Sequence, residues 1–264
     1  MIESITQLIA ALQSDLSKWG KEFKPWFRGE SGDHPALCPR IAQFTATEEN
    51  YLLQSFRRQA GALANSPPRE GHTDMWLFKA QHYGVPTRLL DWTEGALLAL
   101  YFAVNRGNPN PRIYMLNPHR LNELALGQKL SNYEYPLSWV NIGRAYVSLA
   151  WQHRNLKPED MDVEQKMGWD LDIPVAFPAT YQDQRMIAQR SCFTIHGIAL
   201  KSLIDILNAK KMNLTDYLIE YKIDLQCKDE LLRELSILGI SAATIFPDLD
   251  HLSQDLVSDI GMKK

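Results

Sequence analysis

The sequence predicts an α+β fold: a single domain with a small central mixed or antiparallel sheet flanked by helices. Three observations predict it. Segments of helical period and short strand-like runs follow one another without the regular alternation of a doubly wound sheet. The chain has 264 residues, 45% hydrophobic and 22% charged, enough for one large domain or two small ones with a substantial core. Finally, the apolar segment Ala96–Val104 directly follows the polar run Gln81–Thr93 and can only be buried.

The elements follow in order. Ile5, Leu8, Ile9, Leu12 and Leu16 give a helical period over Ile2–Trp19, with Ser4 as its cap. Lys24–Gly29 reads as a short strand ending at a glycine, and Pro35–Ile41 as extended chain. Thr45–Ala64 is a helix with Thr47 as a capping residue, Glu48 and Glu49 in its first turn, and Leu52, Leu53, Phe56 and Leu63 on its buried face. Asn65–Gly71 is a loop by composition, and Met75–Tyr83 a shorter helix stopped by Gly84 and Pro86. Glu94–Asn105 is the buried helix, Gly107–Pro111 a turn and Arg112–Leu116 a core strand. Residues 117–172 read as an insertion, with a helix around Trp139–His153 and a charged loop at Lys157–Lys166. Val175–Phe177, Ser191–Ile195 and Tyr217–Ile223 are strand-like. Ala199–Asn208 and Lys228–Leu238 are helical, the latter ended by Gly239, and Asp248 and Asp250 cap a last helix.

Composition excludes several classes. A net charge of −3 gives no overall pull toward nucleic acid or acidic membranes. Cys38, Cys192 and Cys227 form no Cys-x-x-Cys pair, so neither a zinc ribbon nor a disulfide framework is legible, and reduced thiols in a cytoplasmic protein are expected. Met1–Ser4 opens no signal peptide, and no apolar run reaches the roughly 20 residues that span a bilayer. A Gly-rich phosphate loop, a His-Glu-x-x-His pair and a nucleophile elbow are all missing, and no metal site is expected.

Three clusters carry chemistry. In Trp26-Phe27-Arg28-Gly29-Glu30, an arginine followed by glycine can offer its fork to a phosphate or carboxylate without crowding, or be paired structurally. In Gln81–Thr93, His82 is a general base, a ligand-orienting donor or a satisfied core imidazole. Arg88 and Asp91 could form a buried pair, and Thr93 stands where a helix cap would. In Arg185–His196, Arg185 and Gln189 enter an apolar strand that His196 follows, which suits a ligand contact or a buried network.

In this order the clusters resemble the FRG-domain family, named for its (Phe/Tyr)-Arg-Gly motif. Phe27-Arg28-Gly29, the whole run Gln81–Thr93 with Ala99–Ala103, then Arg185, Gln189, Phe193–His196 and Phe246–Leu249 carry the resemblance. A glycine often stands two positions after the glutamine in that family, where this chain has Ser191. The resemblance divides the chain into an N-terminal helix at 1–20 and an FRG domain at 21–264. A second, weaker resemblance is to ADP-ribosyltransferases of the Arg-Ser-Glu type. There an aromatic-Arg-Gly strand grips the phosphates of NAD, and a Ser/Thr-rich strand leads into a helix like Ala99–Ala103. It implies an ADP-ribosyltransferase-like core, with NAD or a related nucleotide as substrate and a protein or nucleic acid as acceptor. Arg28, Gly29, Thr87, Arg88, Thr93 and Arg185 would bind the nucleotide, and His82, Asp91 and Gln189 would be catalytic. That family's catalytic Glu has no counterpart here: the corresponding strand offers Arg185 or Gln189, so either Asp91, Asp183 or Asp248 supplies the charge or the chain is not a transferase of this kind. Two alternatives stand beside the enzyme. One is a binding module stacking a base on Trp26, Tyr83 or Trp92, and the other a polar network that only specifies the fold.

Overall fold

The computed structural model describes residues 1–20, 24–32, 36–64, 67–69, 72–105, 109–129, 146, 169–178 and 180–261. The expected helix near Trp139–His153 and the charged loop Lys157–Lys166 lie outside them, as do parts of the loops at 65–71 and 107–111. The α+β class is as the sequence predicts. Six strands, β1 (Trp26–Glu30), β2 (Leu89–Thr93), β3 (Arg112–Leu116), β4 (Val175–Pro178), β5 (Ser191–Ile195) and β6 (Leu218–Lys222), form one open sheet in the order β4-β5-β2-β1-β3-β6. Every pairing is antiparallel.

Both faces of the sheet are covered, which is why its strands do not alternate in polarity. Trp26, Tyr114 and Leu116 face one core with α2 (Ala46–Leu63), α3 (Thr73–His82) and α5 (Pro118–Leu126). Their neighbours Phe27, Ile113 and Met115 face the other. There they meet α1 (Ile5–Trp19) and the wholly apolar α4 (Ala96–Val104). The N-terminal helix belongs to this second core: Ile5, Leu8, Leu12 and Trp19 are buried in it, and Ile2 bridges Ile223 beside the edge strand.

Local chemistry explains the helix ends. Ser4 caps α1 as expected. Thr45 rather than Thr47 caps α2, because Glu48, three residues on, returns the hydrogen bond and closes a capping box. Gly84 ends α3 with φ 80°: its N–H donates to the Gln81 carbonyl while the Val85 N–H donates to that of Ala80. This motif reverses the chain and brings Thr87 back against Gln81. Arg185 and Gln189, expected at the entry of a strand, lie on a short helix α6 (Gln184–Ala188) and at its end, since Asp183 caps it through the Met186 N–H. Next come α7 (Leu203–Ala209), shorter than expected because Ser202 caps it, and α8 (Lys228–Ile237) before Gly239 at φ 79°. Helices α9 (Ala242–Ile245) and α10 (Leu249–Gly261) close the fold, with Asp248 accepting the His251 N–H at the start of α10.

Candidate functional site

The central pair of strands is barely zipped. β1 and β2 share the single pair Phe27↔Thr93, whereas β1–β3 and β2–β5 each pair along five residues. From Thr93 back toward Leu89 the two strands part, and a backbone carbonyl that would have faced a ladder partner must find another donor. For Asp91 that donor is the Arg28 side chain, whose Nη1 reaches the carbonyl oxygen at 2.7 Å. A cavity of about 870 Å³ opens over this split. It is walled by β1, β2, the end of α3, the segment 38–43 and α6.

Arg28, 19% exposed, is anchored from behind. Its Nε donates at 2.7 Å to Glu30, two residues along on the same strand face. Glu30 is itself buried and accepts the backbone N–H of Leu37, which is locked at φ 54°, a conformation disfavoured for a bulky residue. Burial works against the guanidinium's charge, but Glu30 and then Asp91 outweigh it and raise its pKa. The Nη2 nitrogen has no protein acceptor among the described residues.

Asp91 is the one exposed residue of β2, with 57% of its side chain open, and its carboxylate lies 3.9 Å from Arg28 Nη1. It is not left to wander. Gln81 Nε2 donates to Asp91 Oδ2 at 2.8 Å, and the Thr87 hydroxyl donates to Gln81 Oε1 at 2.6 Å, which settles which end of the amide faces the acid. Thr87 in turn accepts the Leu89 N–H.

The far wall carries the other candidates. His82 is half-buried, with Nδ1 3.3 Å from Asp183 Oδ2. Burial lowers its pKa, as do Arg185 and Lys79 against the opposing pull of Asp183 and Asp91, so the ring is mainly neutral at pH 7. Arg185 lies 4.7 Å over the Phe246 ring. Gln189 donates weakly to the Ile245 carbonyl at 3.4 Å. Arg28, Gly29, His82, Asp91, Thr93, Arg185 and Gln189 thus line one cavity.

The structure corrects the expectations for Arg88, Thr87 and the capping role of Thr93. Arg88 is in the core: Nε and Nη2 clasp both oxygens of buried Glu49 at 2.5 and 2.7 Å, and Nη1 donates to the Gly197 carbonyl. It pairs with Glu49, not Asp91, and does not line the cavity. Thr87 does not line it either; it supports Gln81. Thr93 does not cap α4, whose N-cap is Gly95; its hydroxyl accepts the Gly95 N–H and shapes the strand-to-helix turn. Gly29 is needed on its helix side, where a Cβ would stand 1.9 Å from the Ala99 carbonyl oxygen and 2.7 Å from the Ala103 nitrogen. Of the proposed stacking aromatics, Trp26 and Trp92 are buried, and Trp92 donates to Thr194; Tyr83 is exposed.

Sequence reasoning missed Glu30 and Gln81. Glu30 was signalled by its i, i+2 position from Arg28, whereas the Gln81 role depends on the Schellman turn and had no local signal. Among the described residues no group of three or more His, Cys, Asp or Glu could hold a metal, and no helix is long and apolar enough to cross a membrane.

Comparison with known families matches the FRG domain at residues 24–111, from just before β1 to just before β3. The later residues of the resemblance, Arg185 to Leu249, lie beyond the matched span. No curated protein and no solved structure matches the chain.

Proposed function

We propose that the FRG domain of this chain, with α6 closing its cleft, binds NAD or a related nucleotide and breaks the glycosidic bond of its ribose. One observation carries the reading. At the split between β1 and β2, a guanidinium and an open carboxylate sit side by side, each held by partners other than the other's charge. A cation fixed in this way suits a pyrophosphate, which it meets through donors at a fixed angle. A carboxylate fixed in this way suits the positive charge that develops on a ribose as its glycosidic bond opens. Glu30 and Asp183 are each committed to backbone donors and to Arg28 or His82, and Asp248 to His251, so Asp91 takes the role. Gln189 is a neutral amide and serves as a hydrogen-bonding group for a ribose hydroxyl. The cavity volume of about 870 Å³ lies within the range of small-molecule sites.

The Gln81 amide on Asp91 supports a second reading, in which the cleft holds the nucleotide without chemistry. The test separates the two. Purified protein is incubated with NAD and released nicotinamide is measured by mass spectrometry, with binding followed by thermal shift. The enzymatic reading expects release, and Asp91→Asn lowers it about 100- to 1000-fold with binding retained. Binding without release supports the second reading; neither binding nor release refutes both.

A further inference from the structure

His82 and Asp183 come from different elements, the last turn of α3 and the cap of α6, and meet only in the folded chain. Each oxygen of Asp183 has its own task. Oδ1 accepts the Met186 N–H at 2.9 Å, and Oδ2 faces His82 Nδ1 at 3.3 Å. The imidazole is also held edge-on against Tyr83, with ring centroids 4.9 Å apart. An ionised carboxylate only accepts hydrogen bonds, so the neutral tautomer that suits this 3.3 Å contact carries its proton on Nδ1. In that tautomer Nε2 keeps its lone pair, on a residue that lines the cleft together with Asp91.

We propose that His82 and Asp183 form a general-base dyad that serves a hydroxyl nucleophile in the cleft, water or the hydroxyl of an acceptor. The proposal rests on the reading of the cleft as one that opens a ribosyl bond. In the step, the bond between ribose C1′ and the nicotinamide nitrogen breaks and its electron pair leaves on nicotinamide. An oxygen lone pair of the nucleophile forms the new C1′–O bond, and its proton passes to His82 Nε2 and then to solvent. Asp183 is a positioning residue: it fixes which nitrogen is bare and stabilises the imidazolium that forms. The charged groups that face the ring are Asp183, Arg185, Lys79 and Asp91. Burial and the two cations keep the ring unprotonated near neutrality, the form a base needs.

Asp183→Asn is the informative variant, because asparagine still caps α6 while the charge is removed. Two readouts are taken: nitrogen NMR of the His82 ring against pH, and nicotinamide release with its pH profile. In the wild type we expect the proton on Nδ1 and an acid limb with its inflection below 6.5. In Asp183→Asn both the ring titration and that limb move to lower pH, and release falls at unchanged KM. His82→Asn lowers release about 100- to 10,000-fold. With methanol added, the wild type also forms the methyl riboside. A proton on Nε2 in the wild type, or an Asp183→Asn ring that titrates as before, overturns the dyad. Release that survives His82→Asn overturns the base alone, whereas no release by the wild type refutes the reading of the cleft as well.

Discussion

Replacing Arg88 by methionine tests whether this arginine belongs to the core or to the ligand. The side chain is 4% exposed, and both oxygens of an equally buried Glu49 are spent on it, together with the Gly197 carbonyl. Methionine fills most of the volume but leaves a carboxylate unpaired in a dry site, a loss of about 3–5 kcal/mol. For a domain of this size that lowers Tm by roughly 6–20 °C, at about 2–4 °C per kcal/mol. Adding Glu49→Leu removes the orphaned charge and recovers about 2 kcal/mol of the loss. The double variant stays about 1–3 kcal/mol below wild type, because the Gly197 carbonyl still lacks its donor. Urea unfolding of the four proteins measures each term, and the cycle isolates the pair. A single variant that loses less than about 1 kcal/mol, or keeps its stability and loses nucleotide binding, would refute the assignment of Arg88 to the core.

Gly29→Ala forces α4 off β1, since the Ala99 carbonyl at 1.9 Å is backbone and cannot swing aside; about 3 kcal/mol or more is lost, read as a fall in the urea midpoint. His196 is fully buried and held neutral, its pKa pushed down to about 3 by burial and then by Arg88 against the pull of the Lys201 and Arg88 backbone. The unfolded chain takes up a proton there below about 6.5 while the folded chain does not, so stability is intact above that pH. It then falls by roughly 1.4 kcal/mol per pH unit down to about 3, and His196→Gln flattens this slope in a pH series of unfolding curves. Gln81→Leu removes the amide that holds Asp91, and nicotinamide release falls about 10-fold or more while Tm changes by only a few degrees. An unchanged rate there would show that Asp91 needs no positioning.

Much of the fold was legible because its signals are local. The period of α1 (apart from Ile9, which is exposed), the charges opening α2, the apolar run of α4 and the glycine after α8 each act within one element, and the structure keeps them. The site was legible as residue types but not as partners. Arg88 and Glu49 stand 39 residues apart, and nothing near either one tells that they clasp, so Arg88 looked like a phosphate ligand. Gly29 illustrates the converse. Its lack of a side chain was read toward the ligand, while the crowding comes from a helix 70 residues later. Thr93 sits two residues too early to cap α4, whose N-cap is Gly95, and its hydroxyl instead accepts the Gly95 N–H. The cleft itself arises from a ladder that stops after one pair, a property of two strands together that neither sequence displays.

The most direct test is a calorimetric titration of NAD into the wild type and into Arg28→Lys. Lysine keeps a positive charge near Glu30 but loses the fork that reaches both Glu30 and the Asp91 carbonyl. Measurable binding is expected for the wild type and a loss of about 10- to 100-fold for the variant, the worth of one charge-assisted hydrogen bond. Equal affinity in the two proteins, or no binding by the wild type, would contradict the proposed role of Arg28.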